Sequence, residues 1–189
     1  MNWTDEVVAD AEITGLAVCT TTDIKPFNLA TMLVTRSLKV HMFPVWRVWT
    51  PESGFDLVYY EMQFKSGMVG PRSLRRAQEW STAKPWRRLH IRWLEGLTPA
   101  QCRAALDRNA DLKRRLRGYG KSQLLAKWTC ERFGWPLEND DTLLDCSEHT
   151  ARVVYAADPF WDLRDERRRE FDAVTPGSGW RKLILRLPG

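Results

Sequence analysis

The sequence predicts one α+β domain over residues 1–189, with residues 1–13 as an N-terminal extension. Three observations predict it. Runs rich in β-branched and aromatic residues fill much of the first half, capped helical patterns dominate the second, and a strand-like run closes the chain. No repeat, low-complexity segment or linker divides them.

The elements follow in order. GLAVC (Gly15 to Cys19) is a short apolar run of strand type. Pro26 opens a helix in which Phe27, Ala30, Leu33 and Val34 share one face, since Pro suits a first helical turn. VHMFPVWRVW (Val40 to Trp49) and DLVYYEMQF (Asp56 to Phe64) read as a hairpin around TPESG, with Pro44 pointing to an edge strand or a bulge. GMVGPRS reads as a loop, followed by a polar, Arg-rich stretch. RLHIRWL alternates, with Leu89, Ile91 and Trp93 on one face and His90 and Arg92 on the other. Thr98-Pro99-Ala100-Gln101 is a helix start with the residues of a capping box. A second helix is expected over Lys121 to Phe133, a third after Cys146, and a last strand over Trp180 to Leu187.

Composition narrows the function classes. The 189 residues are 43% hydrophobic and 28% charged, enough for one real core. No apolar run is long enough to span a bilayer. The acidic N-terminus lacks the cationic start and apolar block of a signal peptide, so a cytoplasmic location is expected. The four scattered cysteines then read as free thiols. The net charge is +5, but RRLRGYGK and RDERRRE read as solvated helix faces, so nucleic acid is not an expected partner. Most of the ten tryptophans read as core or interface residues.

The chemistry centres on LLDCSEHTARVVYAAD, Leu143 to Asp158. Cys146 stands where a helix begins, and helix N–H groups and a nearby imidazolium both favour a thiolate. The same N–H groups suit an oxyanion. Of the three histidines, His149 is one turn from Cys146, His90 lies on the alternating strand, and His41 begins the hairpin with Glu61 on the facing strand. Facing side chains on one face of an antiparallel pair lie about 5 Å apart, so His41 and Glu61 are candidate partners. Two other readings stay open. Asp145 with Glu148 fits a plain helix cap over a buried cysteine. A zinc site from Cys130, Cys146 and His149 lacks any paired CxxC or HxxxH element, so neither a metal nor a cofactor is expected.

Five segments in a particular order carry a resemblance: Thr35-Arg36-Ser37-Leu38-Lys39-Val40-His41, Val58-Tyr59-Tyr60-Glu61, Tyr119-Gly120-Lys121, Asp145-Cys146-Ser147-Glu148-His149 and Thr175-Pro176-Gly177. In them the chain resembles the circularly permuted papain-like hydrolases, the YiiX-like branch of the NlpC-type peptidase superfamily, found in bacteria and phages. The resemblance runs from about Gly15 to about Gly177. It implies a permuted papain-like fold, an antiparallel sheet or half-barrel with packed helices. It implies a thiol amidase or peptidase that works through an acyl-enzyme, with Cys146 as nucleophile, His41 as base and Glu61 as the orienting residue. Tyr119, Ser147, Glu148 and His149 would line the site. The implied partner is a peptide or amide substrate, cell-wall peptides among them, and a phage member would be virion-associated. The chain departs from the family pattern at Asp145, where an aromatic is usual, at Gly120, where Asp is usual, and at Pro44. The competing reading is a catalytically silent structural or adaptor protein on the same fold, such as a tail or capsid component with protein partners.

Overall fold

The computed structural model describes residues 3–6, 8–23, 25–35, 37–63, 65–116, 118–119, 133 and 142–157, the side chains of 27, 34, 35 and 119 excepted. The elements are β1 (Glu12–Thr21), α1 (Pro26–Thr35), β2 (Lys39–Thr50), β3 (Gly54–Gln63), β4 (Gly67–Ser73), α2 (Leu74–Thr82), β5 (Arg87–Trp93), α3 (Pro99–Arg115), the two-residue strands β6 (Gly118–Tyr119) and β7 (Leu143–Leu144), and α4 (Cys146–Tyr155). Most of the helix expected over Lys121 to Phe133, the last strand over Trp180 to Leu187, Cys130 and Thr175-Pro176-Gly177 lie outside the described residues.

The α+β class is what the molecule adopts. β1 to β5 form one antiparallel sheet in the order β4-β3-β2-β1-β5, and β6 pairs with β7 in parallel. Alternation along the strands gives the sheet two apolar faces. Leu16, Val18, Met42, Trp46, Val58 and Tyr60 point to one, where Ala105 and Leu112 of α3 and Ala151 and Val154 of α4 complete the core. Ala17, Cys19, Phe43, Val45 and Tyr59 point to the other, covered by Leu74 and Ala77 of α2. Val8 and Ala11, from the stretch read as an extension, are buried in the first of these cores.

Side-chain caps set three of the helix starts. Thr98 caps α3 by accepting from Gln101 N, and Gln101 Oε1 accepts from Thr98 N at 2.8 Å. Ser73 caps α2 and Asp145 caps α4. The β2–β3 hairpin forms as expected, paired from Val45–Tyr59 to Thr50–Gly54.

Three expectations are corrected and one helix is added. β2 is an inner strand despite Pro44, which pairs with Leu16 of β1. Pro44 is tolerated because β2 pairs with β3 only from Val45 onward, so its missing N–H falls outside that ladder. GMVGPRS is edge strand β4, where Gly70 takes φ +133° and a Cβ would meet Tyr59 O at 2.8 Å. The Arg-rich stretch after it contains α2. Leu33, placed on one face of α1 with Ala30, is 67% exposed, whereas Thr31 packs inward.

No helix among the described residues is long and apolar enough to cross a membrane.

Candidate active site

His41 reaches the site from β2 and Glu61 from β3, both at odd positions of the face that holds Phe43 and Tyr59. Pairing of the two strands ends at Val45–Tyr59, and beyond it the strand ends hold these two side chains together. His41 Nε2 lies 2.8 Å from Glu61 Oε2. The second carboxylate oxygen accepts from Arg72 Nη1 at 2.9 Å and from Gln63 Nε2 at 2.6 Å. Glu61 is thus held on both oxygens and fixes the His41 ring. The ring also packs on Phe43, at 5.6 Å between centroids.

Cys146 comes from the opposite layer, as the first residue of α4. The Thr150 hydroxyl lies 2.7 Å from Cys146 O and 3.2 Å from Met42 O, which ties the first turn of α4 to the strand residue beside His41. The thiol is near enough for its charge to act on the His41 ring. With Nε2 engaged by Glu61, the nitrogen left for the sulfur is Nδ1.

The electrostatics favour the imidazolium form of His41. Burial by itself would lower the His41 pKa. The charge of a Cys146 thiolate and its hydrogen bond, then those of Glu61, outweigh burial and push it up to about 10. Burial would raise the Glu61 carboxyl, but the His41 hydrogen bond and charge, then Gln63 and Arg72, hold it below the usual carboxylate range. Cys19 stands directly across from His41 on β1. Burial, then the charges of Glu61 and Cys146, raise its thiol far above the ordinary range, so Cys19 stays protonated.

Asp145, the departure next to the cysteine, has a local purpose. Its Oδ1 accepts from Ser147 N and Glu148 N, both at 2.9 Å, and from Ser147 Oγ at 2.7 Å. The carboxylate therefore takes two first-turn N–H groups that an oxyanion would otherwise use. The Cys146 N–H is not among the groups it caps.

Not every candidate meets at the site. Ser147, Glu148 and His149 are 1%, 0% and 0% exposed, and none lines the cleft around His41. Glu148 Oε1 pairs with Arg152 Nη2 at 2.9 Å. His149 Nε2 lies 3.0 Å from Asn109 Oδ1 of α3. Tyr119 contributes backbone pairing to Leu144, and its side chain lies outside what is described. His90 is on the β1–β5 surface, 3.3 Å from Thr20 Oγ1. Cys19, Gln63 and Arg72 were not candidates. Strand alternation of GLAVC against Val40–His41 was the available signal for Cys19, and a strand reading of GMVGPRS would have supplied Arg72. Among the described residues no group of three or more His, Cys, Asp or Glu is placed to hold a metal ion.

Burial, and then the positive charge of His41, lower the His149 pKa to about 3. An unfolded histidine titrates near 6.5, so between roughly pH 6.5 and 3 the unfolded chain binds the extra proton. Stability is therefore lost as pH falls through that window, with a slope approaching roughly 1 kcal/mol per pH unit from this group. Urea unfolding of wild type and His149→Gln at pH 7 and pH 4.5 checks it. The variant is expected to lose less stability on acidification, and equal losses would contradict the assignment.

A cleft of about 510 Å³ opens over the His41–Glu61 pair, with Phe43, Tyr59 and Trp80 among its walls. No protein-family model matches this sequence, and no curated protein matches it.

Proposed function

We propose that the protein is a cysteine hydrolase of permuted papain-like type that cleaves an amide bond through an acyl-enzyme on Cys146. The observation that carries this reading is one imidazole held by Glu61 on Nε2 at 2.8 Å and acted on by the charge of Cys146, the first residue of a capped helix. The chain order, histidine strand, glutamate strand, cysteine helix, supports the permuted arrangement.

The chemistry follows from the groups present. The Cys146 thiolate attacks the carbonyl carbon and forms a C–S bond, and charge moves to the carbonyl oxygen. The Cys146 N–H is the first-turn donor for that oxyanion. The His41 imidazolium gives its proton to the leaving nitrogen, the C–N bond breaks, and a thioester remains. His41, now neutral, takes a proton from water, whose oxygen attacks the thioester and expels the thiolate. Glu61 stabilises the imidazolium at each stage, and its bonds to Arg72 and Gln63 keep it in place.

One observation favours a second reading, a structural protein with a vestigial site. Cys146 is 3% exposed and is not among the residues that line the cleft. Alkylation separates the two. The rate of iodoacetamide reaction at Cys146, followed by mass spectrometry, is expected to be nearly flat from pH 6 to 8. A free thiol, with a pKa of about 8.5, gains reactivity steeply over that range. A rate that climbs with pH like a free thiol's, or no reaction in the folded protein, would favour the structural reading.

A further inference from the structure

The charges lining the cleft do not balance. Glu61 is the one carboxylate among the described residues that line it, and both its oxygens are already matched, by His41 and by Arg72 with Gln63. Two further cations line the cleft, Lys65 and Arg76. Both are exposed, and neither forms an ion pair among the described residues. The contrast with Arg75 is direct. Arg75, one residue earlier on α2, is paired with Glu79 at 3.0 Å, whereas Arg76 turns to the cleft, where its charge acts on the Tyr59 hydroxyl.

The walls between these cations are aromatic. Phe43 and Tyr59 stack at 4.5 Å, and Trp80, one turn beyond Arg76, is held by Arg87 stacked on its ring at 4.8 Å. Unpaired cations at the mouth of a cleft raise the local concentration of anions there, and its apolar walls focus that field inward. A neutral or cationic substrate would leave that field unused.

We propose that this cleft selects substrates that carry a compact oxyanion, a carboxylate or a phosphate, a short way from the scissile carbonyl, with Lys65 and Arg76 as the groups that hold it. The inference rests on the hydrolase reading of Cys146. The test compares iodoacetate, which carries a carboxylate, with neutral iodoacetamide at Cys146, each rate referred to a cysteine in an unstructured neutral peptide. The iodoacetate-to-iodoacetamide ratio is expected to exceed that of the peptide by about tenfold and to fall toward the peptide's value in Lys65→Gln/Arg76→Gln. Selective suppression of iodoacetate by propionate marks a carboxylate site, and by inorganic phosphate a phosphate site. A ratio equal to the peptide's, one unchanged by the double substitution, or equal suppression by sodium chloride at matched ionic strength would overturn the inference while leaving fast iodoacetamide reaction, and so the hydrolase reading, intact. Slow reaction with both reagents would overturn the hydrolase reading and this inference with it.

Discussion

His41→Ala is expected to slow iodoacetamide reaction at Cys146 near pH 7 by roughly 10- to 1,000-fold, the range set by removing one opposite charge next to an ionisable group. The Cys146 charge is the largest of the effects that raise the His41 pKa. Glu61→Gln probes the next link. It keeps a hydrogen-bond acceptor for His41 Nε2 but removes the negative charge, so the His41 pKa should drop from about 10. Sign and window follow from that direction. Reactivity that depends on the imidazolium persists below the His41 pKa and is lost above it, so the basic limb of the alkylation profile should move to lower pH in Glu61→Gln. A basic limb that stays where it is in this variant would separate Glu61 from the site's function.

The parts of this site that were legible in the sequence are those set by strand periodicity. His41 and Glu61 lie on one face because each strand alternates, and the hairpin that joins them has a clear turn at TPESG. Cys146 was legible because Asp-Cys-Ser-Glu marks a helix start. The rest depended on distances that periodicity does not carry. Arg72 sits in a segment punctuated by Gly67, Gly70 and Pro71, which reads as a loop, yet an edge strand tolerates such residues because one side of its backbone needs no partner. α2 was missed because it buries only Leu74 and Ala77, too thin a stripe to stand out among its arginines. His149 shows the converse error. Three residues from Cys146 placed it near the thiol in sequence, but it faces Asn109 on α3.

Glu148 and Arg152 were equally hard to read, since an i,i+4 Glu–Arg pair ordinarily marks a solvated helix face. Here the side chains are 0% and 4% exposed, and the bonds from Arg152 Nη2 and Nε to Glu148 Oε1 are 2.9 and 3.2 Å. Arg152→Met is therefore expected to lower stability by about 3–5 kcal/mol, because it leaves a buried carboxylate without its guanidinium. Urea unfolding at pH 7 measures it. The cost should not be read as the worth of the pair: a buried ion pair gains little net, since both ions give up their hydration. Glu148→Leu/Arg152→Met is thus expected to recover most of the loss, with coupling between the two sites as the direct readout. Arg108 on α3 sharpens the argument, for after burial it is the Arg152 charge that most lowers its pKa. Taking Arg152 away relieves that repulsion, so part of the destabilisation should be offset at Arg108. If the single substitution costs less than 1 kcal/mol, the pair is not buried as described. If the double variant regains stability and keeps fast Cys146 alkylation, the pair serves to seat α4 on the sheet, and the reactivity of the thiol belongs to His41 and Glu61.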